Sequence, residues 1–151
     1  MIDVIDKKIL SSLQRDGRLT ITELADEVGL SVSPCHRRLK ILEEKGVIQG
    51  YHAQLSEKEL GLNFSAVVFI SLVKADSATV ASFERKLEDI PEVVEAHRLF
   101  GDPDYLIKVV TRDLESFRVL YDSRLSALPD VLRLNSTLVM KTVVNQRMLP
   151  V

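Results

Sequence analysis

Thr20-Ile21-Thr22-Glu23-Leu24-Ala25-Asp26-Glu27-Val28-Gly29-Leu30-Ser31-Val32-Ser33-Pro34-Cys35-His36-Arg37-Arg38-Leu39-Lys40-Ile41-Leu42-Glu43-Glu44-Lys45-Gly46 decides the architecture of the first third of the chain. Thr20 and Glu23 have capping-box spacing, in which hydroxyl and carboxylate each satisfy a backbone N–H that a helix start leaves unpaired. Leu24 and Val28 follow on one face, and Gly29 supplies a stop. Ser33 is the expected N-cap of the next helix, with Pro34 at its first position, where a missing N–H costs nothing. The apolar pattern then runs through Leu39 and Leu42 to Gly46. Two helices joined by Gly29-Leu30-Ser31-Val32 spell a helix-turn-helix.

The second of these helices can be read by angle, at about 100° per residue. Cys35, Leu39 and Leu42 fall on one side; Ser33, His36, Arg37, Lys40 and Glu44 fall on the other. The outward face is short, polar and mostly cationic, and it is the face expected to meet a DNA major groove. Arg38 lies on the flank of the buried stripe, placed equally to pair with a carboxylate inside the domain or to touch a phosphate. Upstream, Asp3 caps a helix on which Ile5, Ile9 and Leu13 recur every four residues, and Gly17 is its expected left-handed stop. Downstream, Ile48 to Leu55 alternates weakly and reads as a strand or wing before a linker at Ser56 to Leu62.

From Phe64 the period becomes strand-like. Phe64 to Val73 is nearly continuous in Val, Ile and Phe, as in a buried strand. A helix with Val80, Phe83, Leu87 and Ile90 follows and ends at Pro91. A strand from Val93 to Phe100, a turn at Gly101-Asp102-Pro103-Asp104 and a returning strand from Tyr105 to Thr111 come next. Asp113 caps a further helix carrying Leu114, Phe117, Tyr121, Leu125 and Leu128, and a last strand runs from Val131 to Thr142. Ile90-Pro91-Glu92-Val93 is echoed as Leu128-Pro129-Asp130-Val131. The fold class expected is α+β: a winged helix-turn-helix over residues 1–50, a strand and linker over 51–62, and a ferredoxin-like βαββαβ domain over 63–151. With two helices on one sheet face and nothing left for the other, a second subunit is expected to cover it, making an obligate dimer.

Composition sets the outer limits. The 151 residues carry 20 Lys and Arg against 22 Asp and Glu, with 46% hydrophobic and 28% charged residues, which are globular values. Residues 1–50 hold 8 basic and 8 acidic groups, so neither half is a basic module and any DNA contact must be focused on one short element. The single cysteine, Cys35, cannot close an intramolecular disulfide, and with only three histidines no Cys/His zinc site is expected, so a reducing cytoplasm fits best. The longest apolar run, Ser65 to Val73, falls short of the roughly 20 residues that span a bilayer, and Asp3 and Asp6 stand where a signal peptide would be basic, so no membrane partner is expected.

Ser31 to Tyr51 resembles the recognition helix and exit of the leucine-responsive/asparagine-regulator (Lrp/AsnC) family, the feast/famine regulators. The resemblance extends to Ile5-Asp6-Lys7-Lys8-Ile9-Leu10 and to Phe100-Gly101-Asp102-Pro103-Asp104-Tyr105, which is similar to the Gly-x-x-Asp-Tyr turn of that family's sensing domain. It implies a bacterial or archaeal transcription regulator that binds double-stranded DNA, forms a homodimer and assembles further into tetramers or octamers. Its DNA binding or assembly responds to a small-molecule effector, usually an amino acid, with no cofactor. Carried onto this chain, the DNA-binding residues are Ser31, Ser33, Pro34, His36, Arg37, Arg38 and Lys40. The effector residues, at contacts between dimers, are Leu99, Phe100, Gly101, Asp102, Asp104 and Tyr105, with Ser136 and Thr137 of the last strand. Pro103 stands where many members have another residue; it fixes φ and removes a donor.

The turn can also be read without the family. An amino acid's ammonium wants carboxylates, its carboxylate wants backbone N–H groups and its side chain wants an apolar wall, which Asp102 or Asp104, the amides around Gly101, and Leu99 or Phe100 supply. The plainer reading is a tight hairpin turn, since Gly and Asp are ordinary turn residues. Cys35, on the buried stripe, reads as a core residue, and His52 and His97 have no spaced partners. No phosphate loop, His-Glu-x-x-His or Gly-x-Ser-x-Gly occurs, so no enzyme is expected. The alternative function is a stand-alone ferredoxin-like amino-acid-binding or acylphosphatase-like protein whose first 50 residues serve only for dimerisation.

Overall fold

A computed structural model describes residues 1–151 as two compact units, Met1–Gln54 with Val143–Val151, and Leu55–Thr142. The first unit is built on three helices, α1 (Val4–Arg15), α2 (Ile21–Val28) and α3 (Val32–Glu44). Asp3 caps α1 through a reciprocal pair: its carboxylate accepts from the Asp6 N–H at 2.8 Å while Asp6 accepts from the Asp3 N–H at 3.2 Å. Thr20 and Glu23 do the same for α2, and Gly29 ends it in the left-handed region at φ 76°. Seven apolar residues are buried among the helices: Ile9, Leu10, Leu24, Ala25, Val28, Cys35 and Leu42. So small a core leaves caps, worth about 1 kcal/mol each, a sizeable share of the unit's stability.

Several expected boundaries move. The cap of α3 is Ser31, not Ser33, and Ser31 makes no side-chain capping bond. Pro34 is therefore the third helical residue; the first four N–H groups of any helix lack an intrahelical acceptor, so proline marks the first turn without marking its first residue. Gly17 is not left-handed, since α1 ends at Asp16 in extended backbone and needs no glycine there. Ile48 to Leu55 forms no strand or wing. The Tyr51 hydroxyl reaches back to Glu43 at 2.9 Å, and the segment has no neighbouring strand to pair with. The C-terminal residues Val143–Val151, expected in the sheet domain, belong to the first unit, where the Gln14 side chain bonds the Leu149 N–H at 2.7 Å and its carbonyl at 3.1 Å.

The second unit has the βαββαβ order: β1 (Phe64–Leu72), α4 (Ser77–Glu88), β2 (Val93–Arg98), β3 (Tyr105–Thr111), α5 (Leu114–Leu120) and β4 (Val131–Leu138). The sheet is antiparallel in the order β2-β3-β1-β4. Strand alternation does the sorting. Ala66, Val68, Ile70 and Leu72 of β1 and Tyr105, Ile107 and Val109 of β3 are buried against Val80, Phe83 and Leu87 of α4 and Phe117, Leu120 and Leu125 beyond. The other face presents Val67 and Phe69 opposite Lys108 and Leu106. Lys108 meets Glu57 there at 3.4 Å, so the turn at Ser56 to Leu62 covers part of that face.

Three ends of this unit differ from the sequence reading. Helix α5 gives way to a π-helical turn at Tyr121–Leu125, which carries Leu125 into the core. The β2 strand stops at Arg98 because Leu99 closes the turn, its N–H donating to the Asp104 carbonyl at 2.8 Å. The β4 strand stops at Leu138 rather than Thr142, since its only partner is β1, whose last paired residue on this side is Ala66.

Candidate functional site

On α3 and its N-cap Ser31, the expected contact residues Ser31, Ser33, His36, Arg37 and Lys40 are exposed, as are Val32, Ile41, Glu43 and Glu44, while Cys35 and Leu42 are buried and Pro34, Arg38 and Leu39 half-buried. Arg37 has no ion-pair partner within the protein, and Lys40 reaches only Glu44, at 3.7 Å between two exposed side chains. A pair of that kind is worth less than about 1 kcal/mol and is readily given up for a phosphate. The outward face thus holds two freely available cations beside an imidazole and two hydroxyls, on the second helix of a helix-turn-helix. Cys35 is fully buried, and burial pushes its thiol up, which fits a core residue.

Arg38 is differently placed. Its NH1 donates to Asp3 Oδ2 at 2.7 Å and to Asp6 Oδ1 at 2.8 Å, so the guanidinium closes on the capping box of α1. The Asp3 carboxyl is held below the usual carboxylate range, first by the Asp6 N–H and then by this guanidinium. Of the two uses open to Arg38 in the sequence, the structure occupies the internal one. Tyr51 sits near the exit of α3, and its phenol is pushed up to about 12 by burial and by its bond to Glu43.

In the second unit the expected effector residues separate into groups. Leu99 is partly exposed, Phe100 is fully exposed, and Gly101 adopts φ 147°, a region that favours glycine. Asp102 Oδ1 lies 3.5 Å from the Ser71 hydroxyl. Asp104 Oδ2 accepts the Leu72 N–H at 2.7 Å, tying the turn to the end of β1. Tyr105 does not join them: it faces the helices, 2% exposed, its ring 4.6 Å from Phe83 and its hydroxyl bonded to Glu84 at 2.7 Å. It is opposite Ile70, so the pleat turns it inward. Ser136 and Thr137 pair with Val68 and Val67, on opposite faces. They stand at least three residues along β1 from Ser71, about 10 Å at the rise of a strand, so this chain does not bring them to the turn. The β4 residue opposite Ser71 is Arg133. Neither Ser71 nor Arg133 was foreseen, because only the β1 register brings them together.

The Asp104 contact carries a prediction. Asp104→Ala leaves the Leu72 N–H unpaired and lowers the unit's stability by about 1–3 kcal/mol, whereas Asp104→Asn, which keeps an acceptor oxygen, loses less. Thermal unfolding of the two variants measures the difference. Equal melting of Asp104→Ala and the unaltered protein would show that the bond contributes nothing.

A three-helix unit with a cationic outward helix, in one chain with a ferredoxin-like unit bearing an open turn, defines a DNA-binding regulator with a separate sensing module. Residues 2–49 match a winged helix-turn-helix DNA-binding model, and residues 65–149 match the Lrp/AsnC ligand-binding domain. The chain belongs to the Lrp/AsnC family of transcriptional regulators. It is 39% identical over 142 residues to the Bkd operon transcriptional regulator of Pseudomonas aeruginosa, covering 94% of this chain and 93% of that one. A transcriptional regulator from Neisseria meningitidis, crystallised as its L-methionine complex, is 35% identical, with a TM-score of 0.94 over 99% of this chain and 97% of the other. A feast or famine regulatory protein of M. tuberculosis complexed with L-methionine is 32% identical, with a TM-score of 0.86 over 97% of each chain. The family is one of non-enzymatic regulators, so the acylphosphatase-like alternative falls. No helix is long and apolar enough to cross a membrane.

Proposed function

We propose that this regulator acts as a homodimer that lays two α3 helices in successive major grooves and changes its DNA binding or assembly when an amino acid occupies the sensing turn. The observation that carries the DNA half is the outward face of α3. Arg37 and Lys40 supply the charge for phosphates, while His36, Ser33 and Ser31 are short donors suited to base edges or sugar-phosphate oxygens, with Pro34 in the helix's first turn. Two such helices about 34 Å apart demand a pseudo-palindromic site. Dimerisation is supported by the sheet face bearing Val67, Phe69 and Leu106, which α4 and α5 leave uncovered; further assembly to tetramers or octamers rests on the family resemblance. A double-stranded DNA partner supports a cytoplasmic location.

The effector half is supported by the two methionine-bound relatives and by the chemistry of the turn. Asp104 is held by the Leu72 N–H at 2.7 Å, whereas Asp102 has only the long 3.5 Å contact from the Ser71 hydroxyl, so Asp102 is the carboxylate more readily given to an ammonium. The exposed Leu99 and Phe100 offer an apolar wall, the amides around Gly101 offer donors to a carboxylate, and Arg133, opposite Ser71, offers it a cation.

Thermal shift against the twenty amino acids, L-methionine and L-leucine first, tests this reading. A true effector present at a hundredfold excess over its Kd stabilises the protein by about 2.7 kcal/mol. Asp102→Ala is expected to abolish the calorimetric heat of that amino acid without changing melting in its absence. No shift with any amino acid, or an unchanged titration in Asp102→Ala, would remove the turn from the sensing role.

A further inference from the structure

The first unit binds a polyanion, yet it holds two carboxylates, Asp3 and Asp6, against α3. Electrostatics alone makes them a liability, since each repels phosphate. Their placement gives them another use. The buried seam of α3, Cys35 and Leu42 with Leu39 beside them, runs along one stripe, so a contact off that stripe has the longest lever against a roll of the helix. Arg38 sits off that stripe, 33% exposed, and its one NH1 nitrogen bridges Asp3 Oδ2 and Asp6 Oδ1, the latter on a side chain only 14% exposed. The same two carboxylates are already fixed by the reciprocal cap of α1. The guanidinium is thus bolted to a rigid point outside the seam. The need for such an anchor follows from dimensions: a roll of ~10° moves a side-chain tip ~6 Å from the helix axis by ~1 Å, enough to spoil base-edge contacts.

We infer that Asp3, Asp6 and Arg38 form a positioning clamp that sets the roll of the DNA-reading helix, so that removing a negative charge from this domain weakens its grip on DNA. Arg38 is then a positioning residue and no phosphate contact, and Arg37, the next residue around the helix, is the group it aims. The inference rests on the assignment of α3 to the duplex.

The test uses the full chain and a duplex selected from random sequence by the unaltered protein, with affinity measured across a salt series. Under the clamp, Asp6→Asn and Arg38→Gln each weaken binding about five- to tenfold, the double variant is no weaker than the poorer single one, and none changes the salt slope. If Arg38 instead contacts phosphate, Arg38→Gln makes the slope shallower by about 2 per dimer and Asp6→Asn binds more tightly; either result overturns the proposal. Simple loss of stability gives additive effects, and additivity also counts against it. Asp3→Asn, at the more exposed carboxylate, serves as the milder variant should Asp6→Asn fail to fold: weaker binding at unchanged slope supports the clamp, and equal or tighter binding refutes it. Arg37→Ala runs in parallel. An unchanged slope and affinity there would reject the α3 assignment itself, whereas a shallower slope there with tighter binding by Asp6→Asn would reject only the clamp.

Discussion

The proposed dimer carrying Arg37→Ala and Lys40→Ala is expected to bind its site about a hundredfold more weakly than the unaltered protein, with a salt slope shallower by about 3 to 4. The chain's net charge is −2, and residues 1–50 are balanced, so no diffuse field draws it to DNA. Affinity must come from cations that lie on the outward face of α3 and are not held by the protein itself. Arg37 has no internal partner, Lys40 is held only by an exposed pair at 3.7 Å, and Arg38 is spent on two aspartates. Two helices per dimer therefore lose four cations, each worth about 0.9 of slope if it neutralises a phosphate. Fluorescence anisotropy between 50 and 200 mM salt reads both quantities. A loss of affinity with little change of slope would move these residues from phosphates to base edges; full affinity in the double variant would take α3 out of the groove altogether. The control is Arg118→Ala, a cation of the second unit already bonded to Glu115 and Asp122, which is expected to bind as before.

What the sequence made legible was local. The capping box of α2, the stop at Gly29, the aspartate caps of α1 and α5 and the start of every strand come from residues within four positions of one another, where helix and strand chemistry is written directly. The outward face of α3 was legible for the same reason, since a helix converts spacing to angle. Contacts between distant positions were not. The fate of Arg38 depends on carboxylates 32 and 35 residues away, and the roles of Asp102 and Asp104 on β1 residues more than 30 positions earlier. The family resemblance groups Tyr105 with the turn, but its side is chosen by the register with Ile70. Ile48 to Leu55 alternates as a strand would, yet alternation provides no partner, and without one the ladder hydrogen bonds have nowhere to go.

Phe69→Arg is expected to turn the proposed dimer into a monomer at micromolar concentration while each unit stays folded. Phe69 lies on β1, an inner strand, flanked across the sheet by Leu106 and Asn135 on the face opposite Phe83 and Phe117. Its substitution leaves the helix-covered core untouched, so the monomer's secondary structure is retained. If two sheets meet face to face across a two-fold axis, about 10 Å apart, each substitution enters the seam twice. Two guanidinium groups without buried partners then lose hydration at several kcal/mol each, more than the association of a single apolar patch returns. DNA affinity should fall with the dimer, because two linked half-site contacts become one and the avidity, of order 10²- to 10⁴-fold, disappears. Sedimentation velocity and anisotropy on the same variant separate the steps. A Phe69→Arg chain that still sediments as a dimer at micromolar concentration would place the subunit contact elsewhere, and the half-covered sheet would then need another partner. A monomer that nonetheless binds DNA at full affinity would mean that one α3 suffices, and the demand for a two-fold site would go with it.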